Sequence, residues 1–346
     1  NDTVNYDTIN KLSNIKLRNS FISLQDAIFF RFAYSQINVT KDSLVSHLNF
    51  INSTDHSRQG FDSKESNIPL AIFKLILDQC ASHYNSLIRN NFVNTIVAVD
   101  GTYNNNSYHE LLNMGFFNVS ADVPIDIESF GREGKNKEVS SATSYITNNI
   151  NKFKNTIIIG DRAYFSYEFM KFLDDNSIFF IIRAKGDSIK LDPTDHITKS
   201  YKNFNIIMHL RSKTRHVKCK NIIEKEVHDV KGKKKIIKHA IKIEESCHLI
   251  TNLLDANAYP QIQLFNIYKS RWDIEVFFKY LKYNFQFQHM KEKEKKDNYR
   301  KTYMAALIIT YIAKIIEKED TKSQINESHL VRGIFEKLLY KILNNK

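Results

Sequence analysis

Three acidic residues stand where phosphodiester chemistry could use them. Asp100 closes the apolar run in "NTIVAVDGTY", Asp161 closes the one in "NTIIIGDRAYFS", and Glu275 lies within "IYKSRWDIEVFFKYLK". Cleavage or transfer at a phosphodiester is served by two Mg²⁺ ions about 3.5–4 Å apart, which activate the attacking oxygen and stabilise the leaving one. Mg²⁺ takes hard oxygen ligands and keeps several waters, so two or three carboxylates can hold such a pair. Carboxylates gathered that closely repel one another until metal neutralises them. An acidic residue at a strand end is also commonly a cap or a loop anchor, and spacing alone leaves both readings open.

Drawn as one α-helix at about 100° per residue, residues 267–282 put Tyr268, Arg271, Glu275, Lys279 and Lys282 on one face. Ile274, Phe277, Phe278 and Leu281 gather on the other as an apolar stripe. The polar face has two readings. It is a solvated surface with Glu275 and Lys279 as an ordinary i,i+4 pair, or it presents hydroxyl, guanidinium, carboxylate and ammonium groups to a polyanion.

Rigid elements must hold these groups. Thr95–Val99 and Thr156–Ile159 are β-branched and apolar, as buried strands are, and "SIFFIIRAK" from Ser177 is a third such run. "SYEFMKFLDDN" predicts a helix between the second and third, which gives β-α-β order and an α/β sheet covered by helices. Residues 1–90 read as a helical amino-terminal region, as in "SLQDAIFFRFAYSQI" and "PLAIFKLILDQCASHY". The polar stretch between those segments has room for a small helix-turn-helix, with residues 57–67 as its second helix. Residues 91–190 form the first part of a core. Residues 191–248 form a basic, β-rich insertion of antiparallel hairpins turning near Gly232 in "VKGKKK". Its lysines suit a solubilising edge or a DNA-backbone contact surface. "HLITNLL" from His248 returns to the main sheet, so residues 249–315 complete the core, and 316–346 form a C-terminal helical segment. "KEKEKKDNYRK" reads as a solvated charge run.

The whole-chain properties narrow the partners. With 346 residues, 42% of them hydrophobic, the chain can bury a sizeable core and is no disordered protein. A formal charge of +12 points to a polyanion, nucleic acid first and an acidic membrane surface second. Cys80, Cys219 and Cys247 lie far apart without a CxxC pair, so the sequence predicts neither a disulfide framework nor a zinc site. The apolar run "YMAALIITYIA" from Tyr303 is too short to span a bilayer and reads as a buried helix. No cleavable signal is legible at the start, and the expectation is a soluble intracellular protein.

The spacing Tyr268-x2-Arg271-x3-Glu275-x6-Lys282 resembles the Tyr-Arg-Glu-Lys signature of insertion-sequence-4 family DDE transposases. "AVDGTY" at Asp100, "GDRAYFS" at Asp161, "FIIRAK", "LITNLL" and the upstream "SRQGF" are similar to the same family, so the resemblance spans roughly residues 55 to 315. The resemblance implies a ribonuclease-H-like mixed sheet flanked by helices, with a β-rich insertion and a helical amino-terminal region. It makes Asp100, Asp161 and Glu275 both catalytic triad and ligands of Mg²⁺, with Mn²⁺ as a substitute. Tyr268, Arg271 and Lys282 would contact the phosphates of the transposon end, and Lys279 and Arg162 join this DNA-binding set. The implied activity is cleavage at transposon ends and strand transfer into target DNA. The implied partner is double-stranded DNA, bound by a homodimer, without a membrane. Its place would be the prokaryotic cytoplasm and nucleoid, or the nucleus of a eukaryote. The alternatives are a two-metal nuclease without strand transfer and a domesticated, non-catalytic DNA-binding relic. Three features depart from the pattern. Ala163 stands where Gly usually follows the Asp-Arg pair. The single Trp, Trp272, lies inside the signature, which leaves no tryptophan in the insertion to stack a flipped base. The amino-terminal part is short.

Overall fold

Apolar runs bounded by turn residues become the strands of a mixed α/β sheet flanked by helices. A computed structural model describes residues 22, 24–35, 40–88, 94–104, 111–131, 137–184, 190–191, 197–198, 215–231, 235–285 and 296–319. The main strands are β1 (Ile96–Asn104), β2 (Leu111–Asn118), β3 (Val123–Gly131), β4 (Ile157–Gly160) and β5 (Phe179–Arg183). After the short pair β6 (Lys190–Leu191) and β7 (Ile197–Thr198) come β8 (Arg215–Lys231) and β9 (Lys235–Thr251). Strands β1, β4, β5, β9 and β8 lie side by side in that order, and β2 pairs antiparallel with β3.

The chain divides into two compact units. One comprises Asn1–Phe92, Gly101–Glu133 and Asp273–Lys346; the other comprises Val93–Asp100 and Gly134–Trp272. In the second unit β1 and β4 pair in parallel, with Ala98 opposite Ile159, and β4 pairs in parallel with β5. Val97, Ala98, Val99, Ile157, Ile158, Ile159, Phe180, Ile181 and Ile182 are all buried. Unbroken apolar runs are what strands covered on both faces require. Helix α7 (Tyr167–Asp175) joins β4 to β5, started by the Ser166 hydroxyl, which accepts the Phe169 N–H. The root of the insertion is β9 itself: Leu249, Ile250 and Thr251 pair antiparallel with β5, so "HLITNLL" continues the hairpin strand into the sheet. Asn252 locks that junction, accepting the Phe180 N–H and donating to Asp174 and the Ile178 carbonyl. The turn at Gly232 lies outside the described residues.

The first unit holds α1 (Leu24–Tyr34), α2 (Lys41–Asn52), α3 (Arg58–Ser66), α4 (Leu70–Leu87), the β2–β3 hairpin, α9 (Trp272–Asn284) and α10 (Lys296–Glu319). Ser57 caps α3 through the Gly60 N–H, so a helix does form where the polar stretch suggested one. Residues 303–309 within α10 are buried, as their apolar run predicts. The solvated charge run is corrected at its described end. Lys301 is buried and donates to the carbonyls of Glu65 and Ser66, while Glu65 takes both a bidentate pair from Arg31 and an ion pair from Lys301. A single sequence cannot tell a solvated lysine from one that closes a buried ion pair. Among the described residues no helix is long and apolar enough to cross a membrane.

Candidate active site

Strand register brings the two aspartates together. Asp100 lies two residues beyond Ala98 in β1, and Asp161 lies two beyond Ile159, immediately after β4. Continuing that register by two residues sets the two at neighbouring positions on adjacent parallel strands, with Asp100 inside β1, which runs on to Asn104, and Asp161 just past the end of β4. Strands in a sheet are about 4.8 Å apart. Both aspartates are partly exposed. The Arg271 guanidinium stands 3.7 Å from the Asp100 carboxylate, with both side chains more than four-fifths covered.

Asp161 caps the short 3₁₀ turn Arg162–Tyr164, its Oδ1 accepting the Ala163 N–H at 2.7 Å. The preceding Gly160 admits the buried ring of Tyr164: a Cβ there would come 3.1 Å from Tyr164 Cβ and Cγ. Arg162 is exposed beside it.

A further carboxylate joins this end of the sheet. Glu138 occupies the first turn of α5 (Lys137–Asn148), and its carboxyl is pushed up by burial and then by the negative charge of Asp161. Sequence reasoning passed over it because a glutamate in a helix's first turn is ordinary. No periodicity marks it.

The signature segment is not one helix. α8 (Gln261–Lys269) ends at Ser270, whose hydroxyl donates to the Ile267 carbonyl, and the Arg271 N–H takes the Tyr268 carbonyl three residues back. These bonds interrupt the four-residue ladder, and α9 starts afresh at Trp272. The single polar face drawn through residues 268–282 is thus divided between two helices. Tyr268 is buried, not part of an exposed face. Within α9, Glu275, Lys279 and Lys282 keep helical spacing; Glu275 is half-buried, Lys279 exposed, and burial lowers the Lys282 ammonium's pKa. α9 is held by the stripe Ile274, Phe277, Phe278 and Leu281. Gly115 on β2 makes room for it, since a Cβ there would meet the Phe278 ring at 2.6 Å. Trp272 is about half exposed. Among the described residues no three His, Cys, Asp or Glu side chains are gathered as a metal-holding group.

The family model described as "Transposase DDE domain" matches residues 127–311, more than half of the chain. The chain belongs to the transposase DDE domain family. The matched residues of this DDE transposase include Glu138, Asp161, Glu275 and the β8–β9 hairpin, whereas Asp100 precedes them. The fold is similar to that in a cryo-EM structure of piggyBac transposase in a synaptic complex with hairpin DNA, with a TM-score of 0.51 and 10% identity. That similarity covers 98% of this chain and 76% of the other. No curated protein matches the chain.

Proposed function

We propose that the chain is a DNA transposase of the insertion-sequence-4 type, on a ribonuclease-H-like core, that cleaves DNA at the ends of a mobile element and joins the freed 3′-OH to a target duplex. The observation that carries this reading is the β1–β4 register, which, continued by two residues, brings Asp100 within β1 alongside Asp161 just after β4 in a DDE family member. The parallel pairing of β1 with β4 and of β4 with β5 supports the core assignment. Hard carboxylate oxygens on a rigid sheet are the donor chemistry that Mg²⁺ takes, with Mn²⁺ as a substitute. Glu275 is the third carboxylate of this reading. The metal, when bound, supplies activation of the attacking oxygen and stabilisation of the leaving one.

The side chains of this protein do the positioning. The Ala163 N–H fixes one oxygen of Asp161, and Arg271 pairs with Asp100 on β1. Arg271, Lys282, Lys279 and Arg162, with Tyr268 bracing the end of α8, hold the DNA backbone by its phosphates. The lysine-rich β8–β9 hairpin and the α2–α3 pair each add DNA contacts of their own, and the formal charge of +12 favours such a partner. Double-stranded DNA is the partner, as the piggyBac complex with hairpin DNA suggests for this fold, and two ends call for two copies. The protein would work where the DNA is, in a nucleoid or a nucleus.

The test is nicking of supercoiled DNA and joining of oligonucleotide ends, in Mg²⁺ or Mn²⁺, with DNA binding measured in parallel. The parent should nick and join. Asp161→Asn and Glu275→Gln should lose activity by about three orders of magnitude or more while binding DNA as well as the parent or slightly better. Glu275→Asp should fail nearly as badly, because Mg²⁺ demands ligands at about 2.0–2.1 Å in near-ideal geometry. Nicking without joining would assign a nuclease, and a parent that binds without nicking would be a DNA-binding relic. An active Glu275→Gln variant would remove Glu275 from the chemistry.

A further inference from the structure

The ladder between β8 and β9 sets Cys219 directly opposite Cys247. The two lie on opposite arms of the hairpin, on either side of Gly232 in the chain. Residues opposite one another on antiparallel strands have Cα atoms about 4.5 Å or about 5.5 Å apart, according to whether the pair is hydrogen-bonded. A disulfide spans Cα separations of about 4.4–6.8 Å, so both spacings fall within its reach. The ladder is unbroken around the pair, from Arg215 opposite Thr251 to Lys231 opposite Lys235.

We propose that Cys219 and Cys247 are a reversible disulfide site that staples the hairpin where β9 enters the sheet. The oxidant is a low-molecular-weight disulfide. One cysteine thiolate attacks a sulfur of that disulfide, breaking its S–S bond and releasing one small thiolate, which takes up a proton. The second cysteine thiolate then attacks the protein sulfur of the mixed disulfide, forming the Cys219–Cys247 bond and releasing the second small thiol. Two protein thiols are oxidised and one small disulfide is reduced to two thiols. The bond lies two residues before Leu249, the first β9 residue paired with β5, so it joins the hairpin's arms at their root. Cys80 is a built-in control: it is fully buried in α4, and burial pushes its thiol up to about 11.

The full chain, shown folded by circular dichroism, is equilibrated with glutathione and glutathione disulfide over a range of ratios. It is then quenched, alkylated, digested without reductant and analysed by mass spectrometry. The expected product is one species joining the Cys219 and Cys247 peptides, two hydrogens lighter than the sum of the two and lost on reduction. Cys80 should stay unmodified until the chain is denatured. Cys219→Ser should instead leave Cys247 carrying one glutathione. The proposal is overturned if the folded parent accumulates separate glutathione adducts at both cysteines, links either to Cys80, or stays reduced at every ratio. Should the variant not fold, the parent's peptide masses decide alone.

Discussion

Glu65 and Asp161 are both carboxylates held by well-packed elements, yet their surroundings are opposite. Glu65 is almost wholly buried, takes both arms of the Arg31 guanidinium, and has Lys301 3.6 Å away. Arg31 in turn donates to Thr302 Oγ1. Asp161 is partly exposed, accepts one backbone N–H, and lies in the field of a second carboxylate, Glu138. The first site is neutralised by the fold's own cations and serves stability. The second concentrates negative charge at a strand end, which is unfavourable for folding and favourable for a cation. Charge satisfied from within the chain marks structure; charge of one sign gathered at rigid strand ends marks a place for a ligand.

The largest difference between the two should appear in unfolding. Glu65→Gln strips the charge opposite two buried cations and should cost about 3–5 kcal/mol, whereas Asp161→Asn keeps the oxygen that caps Ala163 and should stay within about 0.5 kcal/mol of the parent. Urea midpoints of the two variants, taken without added metal, measure this. Equal losses would erase the distinction between a structural and a functional carboxylate.

A smaller effect separates pairing within the protein from pairing with DNA. Arg271→Ala and Lys282→Ala should each lower the slope of log K against log salt by about one, because each removes a phosphate contact and its released counterion. Unchanged slopes would make Arg271 only the partner of Asp100 and Lys282 only a helix-surface residue.

The smallest effect concerns Glu138. Its carboxyl titrates above the ordinary range in the folded chain, through burial and the charge of Asp161. The folded state therefore binds more protons than the unfolded one between the ordinary and the raised value, and stability falls as pH rises through that window. Glu138→Gln should be slightly more stable than the parent at neutral pH and indistinguishable from it in acid below the window. Thermal midpoints across pH check this, and a variant less stable at neutral pH would place Glu138 among the structural carboxylates with Glu65.

What the sequence determined by itself was local. The β-branched run before Asp161 became β4, the run before Asp100 became the first part of β1, which continues past that aspartate to Asn104, Ser57 and Ser166 began α3 and α7, and the apolar run from Tyr303 became a buried stretch of helix. The DDE transposase family was also legible in the sequence. Short-range periodicity and capping are encoded within a few residues, so one chain suffices to read them. Tertiary structure alone decided which distant residues became neighbours. Register paired Ala98 with Ile159 and Cys219 with Cys247, packing carried Glu138 toward Asp161 and Arg271 to Asp100, and burial turned Lys301 from a solvated charge into a partner of Glu65. It also broke the signature at Ser270, where two backbone carbonyls found partners other than the helical ones. Side-chain spacing repeats identically through a continuous and a broken helix, so only the backbone hydrogen bonds could tell them apart.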